Sequence, residues 1–157
     1  MTLPTSVQED HDITVHKPPR VGITHGDQVC MDSTAPSVRI RGRDLREVAQ
    51  RARSTREQQP GVDVLVDIDV MIAPTAPAAR ELMAAADPDR PAGTLRYVGT
   101  PTGLAGLIND LHALGIADGA VLQPLLASVA GLIEESTLPA LNTMNANVFG
   151  SPESQSA

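Results

Sequence analysis

Between residues 21 and 28 the chain reads VGITHGDQ, a short β-branched run followed at once by a hydroxyl, an imidazole, a glycine and a carboxylate. Ligands of parallel α/β proteins bind at the carboxyl ends of strands, which makes Thr24, His25, Gly26 and Asp27 a candidate rim. The Thr24 hydroxyl and the backbone N–H groups around Gly26 suit a phosphate, although Asp27 would repel it. The plainer alternative is that Thr24 and Asp27 cap a short helix.

Two further groupings carry charge. Seven of the twelve basic residues are arginines between Arg39 and Arg56. Arg39 and Arg41 stand two apart along a strand and point the same way, and an arginine fork matches the oxygens of a cofactor phosphate. Arg46, Arg51, Arg53 and Arg56 read instead as the solvated face of a helix. In VLVDIDVMI, Asp67 and Asp69 share one side of an otherwise apolar strand. Burying both is costly unless cations or a metal answer them. Arg39 or Arg41 as partners is the cheaper explanation; a magnesium or general-base site is the alternative, and no metal is expected.

The remaining candidates are isolated. His11 and His16 lie in a polar stretch without the ligand spacing of a regular element. His112 sits beside the apolar stripe of a helix and reads as a partly solvated surface residue. Cys30 is the only cysteine, so neither an intrachain disulfide nor a thiolate zinc site can form, in keeping with a reducing, cytoplasmic setting.

These side chains need a frame. Runs at Arg20–Thr24, Ser37–Gly42, Val62–Ala73 and Gly119–Gln123 read as strands. Leu45, Val48, Ala49 and Ala52 recur at helical spacing and predict a helix from about Asp44 to Gln58, ended by Pro60-Gly61. Thr75 can cap a helix carrying Leu82 and Met83, and DPDRPAG closes it. Thr100 as N-cap and Pro101 as first helical residue start the next, with Leu104, Leu107, Ile108, Leu111 and Leu114 as its stripe and Gly115 as its stop. A last helix runs from about Ser128 to Leu141, with Pro139 at a kink or near its end. DQVCMDSTAP, between the first two strands, has room for at most one or two helical turns. Strands alternating with helices over short connections imply parallel pairing, in about four βα units.

Composition narrows the function. The 157 residues suffice for one domain: a core from 19 to 141 between tails at 1–18 and 142–157. A net charge of −7, with Tyr97 and Phe149 the only aromatics, argues against nucleic-acid binding and RNA stacking platforms. No apolar run approaches the roughly 20 residues of a membrane span, and MTLPTSVQEDHD lacks the regions of a signal peptide. A cytoplasmic protein is expected.

One resemblance extends this. RYVGTPTGLAGLINDLHALGIADGAVLQP and the later LIEESTLPAL resemble the carboxyl-terminal part of bacterial-luciferase-like, flavin-dependent monooxygenases, most closely the nitrilotriacetate monooxygenase branch. SVRIRGRDLREVAQRAR and VDVLVDIDVMIAPTAPAAR look like the family's preceding strand–helix units, so the likeness runs from about Pro18 to Leu141. It implies an α/β fold of parallel strands and helices corresponding to the carboxyl-terminal half of a TIM barrel, whose full form takes about 250 residues. It also implies FMN or the deazaflavin F420 as cofactor, a small-molecule substrate, and a second copy or partner chain that completes the barrel, since half a barrel leaves two open edges.

The family's catalytic histidine, tyrosine and aspartate residues come largely from its first half, so none is carried over. Thr24-His25-Gly26-Asp27 occupies the place of the family's Gln-Ala-Gly-x-Ser-like turn near the flavin phosphate but departs from it. Gln123, at the end of the last strand, falls where such barrels line their site. Thr24, His25, Gly26, Arg39 and Gln123 are thus the expected cofactor-binding residues. The alternative is a noncatalytic remnant or assembly module. A metal-dependent hydrolase would rest on Asp67 and Asp69 alone.

Overall fold

The computed structural model describes residues 17–31, 33–86 and 93–146. His11, His16 and most of the DPDRPAG linker lie outside the described residues, as do nearly all of the expected tail at 1–18 and the stretch beyond 146.

The chain is a mixed α/β protein with a curled, mostly parallel sheet. In order come β1 (Arg20–His25), β2 (Gln28–Met31), β3 (Ser37–Ile40), α1 (Leu45–Gln58), β4 (Asp63–Ile72), α2 (Ala76–Ala86), β5 (Leu95–Gly99), α3 (Pro101–Ala113), β6 (Gly119–Pro124) and α4 (Ala127–Leu132). A π-helical turn at Ile133–Thr137 continues α4, and helix resumes over 138–146.

Capping fixes the helix starts. Asp44 Oδ1 accepts from Glu47 N at 2.9 Å, which satisfies one orphan donor of the first turn of α1, and Glu47 Oε1 accepts from Arg43 N at 2.8 Å, which ties down the backbone just ahead of the cap. That backbone bond, more than the nearby charges of Arg43 and Arg51, holds the Glu47 carboxyl below its usual range. Thr75 Oγ1 accepts from Ala78 N at 3.2 Å, and Thr100 Oγ1 accepts from Gly103 N at 3.1 Å with Pro101 in the first turn, as predicted. The last helix runs from 127 to 146, past the expected Leu141 boundary. It accommodates Pro139 by widening just before it, where Leu138 N reaches back to Ile133 O.

Two strands depart from the expectation. DQVCM forms no helical turn; Gln28–Met31 is a strand antiparallel to β1, with Thr24 opposite Val29 and His25 opposite Gln28. The reason is the turn. Gly26, at φ 66°, occupies the first central position of a two-residue loop with Asp27, which suits a hairpin. Leu95–Gly99 is also a strand, parallel to the second half of β4.

The sheet runs β2-β1-β6-β4-β3, with β5 also on β4. Consecutive barrel strands would lie side by side in chain order. Here β6 sits between β1 and β4, so the neighbour order is not that of four successive barrel units. β6 pairs with Leu65–Val70 of β4, β3 with Asp63–Val66 and β5 with Ile68–Ile72. A strand has only two hydrogen-bonding edges, so β3 and β5 share the edge opposite β6, one after the other. Asp67 falls at the junction between them.

β4 is buried on both faces. Val64, Val66, Ile68, Val70 and Ile72 point into the aliphatic core with Val48 and Ala52 of α1, Leu104, Ile108 and Leu111 of α3, and Ile133. The alternate residues Leu65, Asp67 and Asp69 lie on the opposite face and are buried too, and Met71, near the end of the strand, belongs to the core cluster. No helix of the described residues is long and apolar enough to cross a membrane.

Candidate functional site

The concave face is read off the register. Arg20 and Gly22 of β1 stand beside Gly119 and Val121 of β6, and Gly119, Val121 and Gln123 stand beside Leu65, Asp67 and Asp69 of β4. Gly119 permits this closeness, because a Cβ there would collide with the Arg20 backbone. The amino-terminal end of the curl is shut by Arg20, whose Nη1 donates to Asp63 Oδ2 at 3.0 Å and whose Nη2 donates to the Ser33 carbonyl at 3.0 Å. The carboxyl end opens.

At that open end lies a cleft of about 640 Å³, lined by the β1–β2 turn from Thr24 to Asp27, Val29, Arg39, Gln123 and the segment leading into α4. The contiguous Thr24, His25 and Gly26 line this cleft together with Arg39 and Gln123. The helix-cap alternative for Thr24 and Asp27 is corrected: Asp27 sits in a hairpin turn and Thr24 in the strand that leads into it, where the Thr24 hydroxyl donates to the Leu122 carbonyl at 3.5 Å. Leu125, Leu126, Ala127 and Ala130 supply an apolar wall that the sequence reading missed. The signal was present in LLASVA, directly after the last strand.

The charges are arranged around Asp67. Its Oδ1 accepts from Arg39 Nε at 2.8 Å and its Oδ2 from Arg41 Nη2 at 3.1 Å. Both arginines therefore answer the carboxylate, as the strand spacing suggested. Asp67 is 2% exposed, whereas the Arg39 and Arg41 side chains are 38% and 61% exposed. A buried carboxylate thus anchors two guanidiniums that reach outward, and Arg39 reaches into the cleft. Asp69 lies in register with Arg96 on one side and Gln123 on the other. His112 is half-buried on α3, away from the cleft, and Cys30 is exposed on β2.

Chemically the cleft offers one anchored guanidinium, an imidazole, an amide, a hydroxyl and an aliphatic wall, with Asp27 the one carboxylate on its lining. Such a set is chemically suited to a small molecule with an apolar body and a polar or anionic end. A scan against protein-family models finds no match to this chain, and a search of curated proteins finds none either.

Proposed function

We propose that the cleft at the carboxyl ends of β1, β3 and β6 is the cofactor site of a flavin-dependent oxidoreductase, taking FMN or F420. The observation that carries the proposal is the convergence of Thr24, His25, Gly26, Arg39 and Gln123, from three strands and a turn, on one cleft beside an aliphatic wall. The wall receives the ring system and the polar rim receives the ribityl and phosphate groups; the flavin itself supplies the redox chemistry. The likeness of VGTPTGLAGLI and LIEESTLPAL to luciferase-like monooxygenases supports the same cofactor.

A second reading, a noncatalytic ligand-binding or assembly module, is favoured by the strand order. β6 and β4 are paired on both edges, and the strands left at the margins are short: four residues in β2, four in β3 and five in β5. Such a sheet does not call for the completing half that a split barrel requires, which weighs against barrel ancestry and against an obligatory partner chain.

Titration of the purified protein with FMN and with F420, followed by flavin fluorescence, tests the proposal. Saturable one-to-one binding with turnover of a reduced cofactor supports the enzyme. Binding without turnover supports the module, and no uptake of either refutes the cofactor site.

A further inference from the structure

We propose that Arg39 is a dedicated oxyanion-binding residue of the cleft, aimed by Asp67, and that it grips the phosphate or carboxylate end of the small molecule held there. This rests on the cleft being a ligand site, but not on the ligand being a flavin.

Asp67 does not form a two-pronged pair with either arginine: one oxygen takes Arg39 Nε, and the other takes Arg41 Nη2. Arg39 therefore spends only its inner nitrogen on the protein. Among the described residues no protein atom accepts from either of its Nη groups, and Arg39 lines the cleft. The outer fork of a guanidinium is the part that matches two oxygens of a phosphate or carboxylate.

Asp67 makes that fork rigid. It sits at the junction where β3 leaves β4 and β5 takes over, is 2% exposed, and cannot swing out to water. One carboxylate between two guanidiniums also leaves one positive charge over, in a chain whose net charge is −7. Arg41 is the second counter-charge and does not line the cleft. Asp27 does, and its negative charge opposes an incoming anion. The order of influence is then fixed: Arg39 attracts, Asp27 weakens, and Arg41 matters little.

The test compares FMN with riboflavin, which carries the same ring without the phosphate, by fluorescence titration. Wild-type protein is expected to bind FMN about tenfold or more tightly than riboflavin, the scale of one charge-assisted contact. Arg39→Met removes that preference, FMN affinity falling to about that of riboflavin; Arg39→Lys, which keeps a cation on Asp67 should the methionine variant not fold, recovers only part of it. Arg41→Met keeps the preference, and Asp27→Asn increases it. Equal binding of the two flavins by wild type, or a loss in Arg39→Met shared equally by both, overturns the proposal. If neither flavin binds, the flavin reading fails separately, and calorimetric titration with inorganic phosphate and with acetate decides. Uptake of either that disappears in Arg39→Met upholds the oxyanion site and tells the two anions apart; no uptake, or uptake unchanged in Arg39→Met, overturns it.

Discussion

Arg39 Nε lies 2.8 Å from Asp67 Oδ1, and this one contact ties a buried position of the central strand to the wall of the cleft. Arg41 takes the other oxygen, so the carboxylate keeps a counter-cation if either arginine is lost. Arg39→Met or Arg41→Met alone is expected to cost about 1 kcal/mol, because both side chains are well exposed and screened. The double variant strands a buried carboxylate and costs more than the sum, about 3 kcal/mol or more. Adding Asp67→Asn to it restores part of the loss. Urea denaturation of the set checks this; additive losses would show that Asp67 is not shared.

Gly119 and Gly106 make a matched pair. A Cβ at 119 meets the Arg20 backbone, whereas one on the α3 residue Gly106 meets nothing within 4 Å. Gly119→Ala is expected to destabilise by about 2 kcal/mol or more, since backbone must move between β1 and β6. Gly106→Ala should stabilise by about 0.5–1 kcal/mol through helix propensity. Thermal melts moving in the same direction would contradict the packing of β1 on β6.

The start of α3 gives a third comparison. Thr100 Oγ1 accepts from Gly103 N, whereas Thr102 is exposed in the first turn. Thr100→Ala should lose about 1 kcal/mol and Thr102→Ala much less. Equal losses in chemical denaturation would count against the assigned cap.

How far the sequence reached is explained by which signals are local. Helix starts at Thr75 and Thr100 are legible because a cap is written within four residues, and the start near Asp44 because the apolar spacing from Leu45 to Ala52 is local too. The Arg39, Arg41 and Asp67 cluster was legible because alternate carboxylates on an apolar strand demand cations. The strand β2 is the harder case: Gly26-Asp27, followed by Val29 and Cys30, carries a hairpin signal, but the weak apolar content of the stretch suggests no more than one or two helical turns. LRYVG, only five residues long, is not among the four runs that read as strands. Strand order was beyond local reading: β6 enters between β1 and β4 through long-range pairing, which no single segment encodes. The apolar cleft wall from Leu125 to Ala130 depends on that same placement.

The central claim is that the cleft beside Arg39 holds the ligand, and amide chemical-shift mapping of the full ¹⁵N-labelled chain during titration with FMN tests it most directly. The account predicts saturable shifts concentrated at Thr24, His25, Gly26 and Asp27, at Val29 and Arg39, and from Gln123 through Ala130 apart from Pro124, with the α1 residues Arg53 and Arg56 and the nearby Gly115 unmoved. Shifts centred on Arg53, Arg56 and Gly115, or no saturable shift at all, would contradict it.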